Sequence, residues 1–355
     1  MKKLSIILSL TMFIMASCQQ NAEKTAIAEQ TQFPPADTTD ATNYFYDNAE
    51  THELPLNEIS IGGEVSNPGV VDLSGLPLHT IIVKEAVLAE DGNKFVGAYR
   101  YDGYSLLDIL NNFILHKANQ DEFEPIIDLY VEIENEANEK VVVSWGEIYY
   151  PNHLHEVIIA KQVMRIVPSK TNDLWPLPEK SKLVIGSDLI TERNILAPSK
   201  ITIKSYPRSF ETIKGKKPLF SEKVDFFKND ELQFSLDQDP ENMQEMHYES
   251  IFYGRGRGIH STTPFTGTRL MDHLKTFTGI TTDNIQKGLV LIVADDGYRV
   301  VYTFSEIMNR NDQSEVLLIY HGDGNGGLFR LYPAGDFFSD RAIKSIAGIY
   351  LDAEN

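Results

Sequence analysis

The chain has 355 residues, a formal net charge of -19 at pH 7 and one cysteine, Cys18. A body this acidic repels phosphate backbones and anionic bilayer surfaces, so nucleic acid is excluded as a partner. With no second thiol, the folded part has no internal disulfide, no cysteine nucleophile and no thiolate metal ligand.

The first elements concern location. MKKLSIILSLTMFIMASC has two lysines, an apolar run from Leu4 to Met15, and small residues up to Cys18. This reads as a signal peptide over residues 1–17, too short for a spanning helix. Met15-Ala16-Ser17-Cys18 is similar to a bacterial lipobox, which implies cleavage before Cys18 and lipidation (diacylglycerol, palmitate) of its sulfur. The glutamines that follow favour the outer membrane, on its periplasmic or surface face. Residues 18–58 are polar, carry Pro34-Pro35 and hold few aliphatic residues. They cannot bury enough surface to offset ordering entropy and read as a flexible tether.

Beyond the tether, the pattern occurs twice. ISIGGEVSNPGVVDLSGL from Ile59 alternates apolar residues around an Asn67-Pro68-Gly69 turn, and KVDFFKNDELQFSLDQ from Lys223 has the same shape. Gly103-x-x-Leu106-x-Asp108-x-Leu110 aligns with Gly267-x-x-Leu270-x-Asp272-x-Leu274, and each predicts a short helix entered through a glycine turn. Strand patterns follow (DLYVEIENEANEK and GLVLIVADDGY), then VVVSWGEI against RVVYTFSEI, with Trp145 on Phe304 and Glu147 on Glu306. TNDLWPLPEKSK in the first copy is an extra loop whose prolines forbid regular structure. The tails match without a gap: Asp188 with Asp336, Arg193 with Arg341, Ile195 with Ile343, Ile201 with Ile349. The expected organisation is a duplicated α+β module, with copies over residues 59–205 and 206–355 joined near Tyr206-Pro207-Arg208.

FTGTRLMDHL, ADDGYRVVYTFSEIM and GGLFRLYPAGDFFSDRAIKSIAGIYL in the second copy resemble the sulfite-oxidase-type (oxidoreductase molybdopterin-binding) domain family. Phe265, Gly267, Gly297, Tyr298, Gly327, Arg330, Leu331, Pro333, Gly335, Lys344 and Ile349 fit its pattern. The first copy fits through GEVSNPG, DGYSLLDIL, RIVPSK and SDLITER. The resemblance implies mixed β-sheet with short helices, and a molybdopterin cofactor held by glycine-rich loops, basic side chains and a cysteine thiolate. No cysteine stands before either aromatic-x-Gly element, so the modules are expected to be degenerate, non-enzymatic and without cofactor. The alternative is a molybdenum-cofactor oxidoreductase with a non-cysteine metal ligand.

Gly254-Arg255-Gly256-Arg257-Gly258-Ile259-His260 alternates glycine with arginine, which lets backbone and guanidiniums approach an anion together. Arg255, Arg257, His260, Arg341 and Lys344 are therefore the candidate cofactor- or ligand-binding residues, opposed by simple pairing of the arginines with nearby acids. Arg193 and Arg341, each five residues after an aspartate, also fit an internal salt bridge. His153-Leu154-His155 offers two imidazoles but no identifiable third metal ligand. The loop His321-Gly322-Asp323-Gly324-Asn325-Gly326 lacks the glutamate of a calcium loop and reads as structural. No nucleophile elbow, Walker loop or dinucleotide fingerprint is present. The expected function is a cell-envelope lipoprotein that binds a small anionic ligand or a partner envelope protein, with no catalytic residue and no metal.

Overall fold

In the computed structural model, which describes residues 43–322 and 326–353, strands take up most of the apolar stretches. Strand accounts for 43% and helix for 10%, and four small sheets lie in a propeller-like ring. This overturns the expected α+β pair of sulfite-oxidase-type modules. The physical reason lies in the helices. The leucine spacing after Gly103 and Gly267 does nucleate them, but Leu106–Leu110 and Leu270–Leu274 stop after five residues, as do Trp145–Tyr149 and Phe304–Met308. None is long enough to form a layer.

Strand identity follows side-chain period. Leu129–Asn135 (LYVEIEN) alternates buried apolar with partly exposed residues, as a strand with one covered face should. Leu289–Ala294 (LVLIVA) is buried at every position. Val290 and Ile292 enter one apolar cluster while Leu291 and Val293 enter another with Tyr206 and Val301, so both faces are covered.

The same connectivity occurs twice. One sheet has the order Gly69–Val70, Ser60–Gly63, Pro198–Ser205, Leu129–Asn135, Lys140–Ser144; another has Glu231–Leu236, Val224–Lys228, Ile346–Asp352, Leu289–Ala294, Arg299–Thr303. In both, the second and third strands are parallel and all other neighbours antiparallel. The remaining two sheets also agree. Leu78–Ala89, Gly92–Ser105, Val157–Arg165 and Lys182–Ile185 pair antiparallel in sequence, as do Glu245–Tyr248, Phe265–Arg269, Val316–Tyr320 and Phe329–Pro333. Only the first carries an added edge strand, Thr51–Glu53. A two-stranded ribbon, Phe252–Gly254 with Gly258–Ser261, stands apart. No helix or strand forms between residues 166 and 181, where the prolines stand.

Gly103, expected to open a turn, instead lies inside a strand at a register shift. A Cβ there would lie 2.3 Å from the Ile159 carbonyl oxygen, and one on Gly267 would lie 2.6 Å from that of Leu318. Both glycines allow close backbone approach.

From Ala49 onward the chain forms one compact unit. Of the separate unit Met1–Asn48, only residues 43–48 are described, in bends and turns. Within the large unit a single apolar cluster runs from Ile59 to Leu351. The segment after Ser205 is held firmly: the Tyr206 N–H donates to Asp128 O at 2.9 Å and its hydroxyl donates to Asp352.

The halves also exchange polar contacts. Ser144 and Thr303 each cap a helix in a reciprocal box with Glu147 and Glu306. Arg193 binds Asp188 at 2.6 and 2.9 Å and Glu147 at 2.6 and 3.1 Å, then reaches the other half's cap, Thr303 Oγ1, at 3.3 Å. Arg341 binds Asp336 at 2.6 and 2.8 Å and Glu306 at 2.6 Å, then reaches Ser144 Oγ at 3.4 Å. Backbone joins the exchange: Leu189 N donates to Asn309 O at 2.7 Å, and Phe337 N to Tyr150 O at 2.7 Å. Four buried carboxylates thus face these two guanidiniums. Burial raises Glu306 to about 7 against the pull of Arg341, with Glu147 adding repulsion. For Glu147 burial opposes the charge as well, but Arg193 outweighs it and holds the carboxyl below its ordinary value.

Candidate functional site

Of the five predicted binding residues, four are exposed and one is buried. Arg341 is a correction: it is 3% exposed and consumed by Asp336 and Glu306, so it is a core ion pair rather than a ligand contact. Lys344 is exposed and bridges through its backbone to Arg330. Arg257 and His260 are exposed on the ribbon. Gly254 lets the ribbon close, since a Cβ there would lie 2.3 Å from His260 Nε2. Arg255 alone of the five lines the cleft described next. It pairs with Asp340 at 3.1 Å, and its guanidinium lies 6.0 Å from the Tyr150 ring centroid. Cys18 and residues 323–325 of the glycine-rich loop lie outside the described residues.

The cleft has a volume of about 320 Å3. Its floor is built by the capped helix Trp145–Tyr149. The box of Ser144 and Glu147 fixes the first turn, so Trp145 and Tyr149, four residues apart, share a face and stack at 4.6 Å and 22°. Tyr150 follows as the C-cap and meets Phe338 edge-on at 6.2 Å and 82°. Leu110, Phe113, Leu115 and Ile126 supply an apolar wall, and Asn111 accepts from the Tyr149 hydroxyl at 3.2 Å.

Trp145 and Tyr150 are 7% and 3% exposed. Trp145 Nε1 and the Tyr150 hydroxyl are nevertheless buried atoms with no hydrogen-bond partner among the described residues. Burial pushes the Tyr150 hydroxyl up, with Arg255 opposing, so it stays a neutral donor at physiological pH. Indole N–H and guanidinium N–H can only donate. Three lining residues therefore carry donors beside apolar rings, those of Trp145 and Tyr150 enclosed and that of Arg255 exposed. None of the wall's side chains is a carboxylate, imidazole, thiol or aliphatic hydroxyl, which leaves no general base or strong nucleophile there.

A second cluster sits beside another cavity of about 320 Å3. The sequence pairs His153 with His155, but the fold brings His155 to His79 and Asp108 instead. His79 Nε2 lies 2.7 Å from Asp108 Oδ2, and His155 Nδ1 lies 3.7 Å from the same oxygen. The two imidazoles stack at 3.9 Å and 8°. His155 Nδ1 is also 3.0 Å from Ser105 Oγ. Burial and the neighbouring His79 lower His155, with Asp108 opposing.

Sequence reasoning missed Trp145, Tyr150 and Phe338 because alignment of Trp145 with the core residue Phe304 marks that position as packing. The signal available was the aromatic density of SWGEIYY directly after a capping serine. Comparison with protein-family models, curated proteins and solved structures finds no match for this chain. No helix among the described residues is long and apolar enough to cross a membrane.

Proposed function

We propose that this protein binds a small ligand with an apolar body and an anionic, acceptor-bearing head in the cleft of Trp145, Tyr150 and Arg255. The observation that carries this reading is the pair of orphaned buried donors in one wall, beside the guanidinium. Leaving each unmade costs about 1–3 kcal/mol, a cost the fold bears at two residues of one lining. A carboxylate or similar head pairs with the exposed Arg255 and draws the two enclosed donors toward it by side-chain rotation, while the rings and leucines cover its body. The volume falls at the small end of ordinary ligand pockets, roughly 300–1,000 Å3. The wall chemistry supports binding rather than turnover. The same proposal tethers the protein to the cell envelope through lipid on Cys18, motivated by the Met15–Cys18 pattern; a Cys18→Ser chain that stays in the membrane fraction would remove this part.

The test is tryptophan fluorescence titration with a panel of aliphatic and aromatic carboxylates, against matched alcohols. Carboxylates are expected to bind and alcohols to bind at least tenfold more weakly. Trp145→Phe should weaken the best carboxylate about tenfold, as loss of one hydrogen bond of about 1.4 kcal/mol does, and should abolish the spectral change although Trp175 remains. Arg255→Met should weaken it further. Equal affinity in both variants, followed by calorimetry, refutes the assignment.

A further inference from the structure

We propose that His79, Asp108 and His155 form a binding site for a divalent first-row transition ion, with open coordination positions facing the adjoining cavity. This rests on residues outside the aromatic cleft and does not depend on what that cleft binds.

The three ligands come from separate elements. His79 lies near the start of strand Leu78–Ala89, Asp108 in helix Leu106–Leu110, and His155 in the turn before strand Val157–Arg165. Hairpin pairing sets His79 opposite Gly103, which brings it over the helix that begins three residues later. Their donor atoms all lie within 4.8 Å of one another. Bonds of about 2.0–2.1 Å at tetrahedral to octahedral angles place ligand atoms about 2.9–3.4 Å apart. The separations from Asp108 Oδ2, 2.7 and 3.7 Å, bracket that range, and binding requires the rings to turn out of their parallel stack so that both nitrogens aim at one ion. Two imidazoles with one carboxylate suit Zn2+, Ni2+ or Cu2+ and not Mg2+ or Ca2+.

Local hydrogen bonds hold each ring separately, His79 on Asp108 at 2.7 Å and His155 on Ser105 Oγ at 3.0 Å, yet neither bond requires two imidazoles and a carboxylate to meet within 4.8 Å. His155 holds a left-handed backbone, φ 67°, uncommon for a non-glycine residue, and its Nδ1 lies 3.0 Å from Ser105 Oγ and 3.7 Å from the Asp108 carboxylate. The other half supplies a contrast at the aligned position. There Asp272 is taken by Arg269, at 2.7 and 3.0 Å. Three residues before Asp108 the first half has Ser105 instead, whose hydroxyl caps the helix and leaves the carboxylate to the imidazoles. The side chains of His79, Asp108 and His155 are 25%, 19% and 30% exposed. An ion has a path in, and water can complete its shell from the cavity side.

The experiment is calorimetric titration of Zn2+ into full-length, chelator-stripped protein without a histidine tag, with Co2+ absorption as a second readout. One ion per chain is expected, with visible Co2+ bands characteristic of low coordination number. Asp108→Asn, which keeps the shape of the side chain, and His155→Ala should each weaken Zn2+ at least tenfold, whereas His153→Ala should leave it unchanged. Far-ultraviolet circular dichroism checks each variant; should His155→Ala fail to fold, Asp108→Asn decides alone. No stoichiometric uptake by the wild-type chain, or undiminished uptake by Asp108→Asn, overturns the proposal.

Discussion

Replacing Arg341 by methionine removes a charge on which two buried carboxylates depend. Its guanidinium makes three short contacts to Asp336 and Glu306, at 2.6–2.8 Å, and lies 4.2 Å from the Tyr302 ring centroid. Methionine keeps most of the volume, so the dominant loss is electrostatic. Breaking a buried pair by deleting one partner costs about 3–5 kcal/mol, because the other charge is left uncompensated. Part of that cost is avoided by protonation. Glu306, already raised to about 7 by burial, takes up a proton readily, and burial raises Asp336 as well. The destabilisation should therefore be near 4–5 kcal/mol at pH 8 and smaller by about 1–2 kcal/mol at pH 5.5. Urea unfolding at the two pH values measures both numbers. At pH 8 the melting temperature should fall by roughly 8–15 °C. A loss below about 1 kcal/mol, the same at both pH values, would show that Arg341 is not caged and would return it to the pool of cations free for a ligand.

Glu306 gives the wild-type chain its own pH signature. Its folded-state value lies above the ordinary 4.5, so the stabilisation is complete below about pH 4.5 and is lost as pH rises through 7, by about 3 kcal/mol in all; urea midpoints of Glu306→Gln that track the wild type from pH 5 to 8.5 would contradict this. Gly146→Ala should destabilise despite alanine's helix advantage of about 1 kcal/mol, because the new Cβ would lie 2.0 Å from Arg341 Nη1, which Glu306 and Ser144 hold in place. A thermal melt at or above the wild-type value would refute the close approach.

The spacing of Asp188 to Arg193 and of Asp336 to Arg341 was legible as an internal pair, because five residues in a tight tail segment bring the side chains face to face. The alternation of LYVEIEN was equally plain. The balance of strand over helix was not. A leucine pair four apart reads as helix whether the helix runs five residues or fifteen, and Asn111-Asn112 ends it early. The long hairpin Leu78–Ala89 with Gly92–Ser105 hid among its charges, since only one edge of it is covered. Of the residues in the proposed sites, Arg255 stood out through glycine-arginine alternation, but its neighbours did not. Nothing local ties Arg255 to Tyr150, 105 positions earlier, and nothing ties His79 to Asp108 except hairpin register. Trp145 shows the limit most sharply: its ring fits the packing pattern, and only the unpartnered nitrogen distinguishes it from its counterpart Phe304.

Because each half's arginine reaches the cap hydroxyl of the other, and backbone bonds join them, one copy by itself would lack a hydroxyl and a backbone edge that its arginine and tail contact. Such a copy would find them only in a second molecule related by a twofold axis, as in an isologous dimer. Fusing both into one polypeptide holds the partner at high effective concentration whatever the abundance of the protein. It also frees the two copies from having to stay identical. One can give up the arginine beside its aspartate and gather imidazoles there, or exchange a phenylalanine for an indole, while the other keeps the shared frame intact.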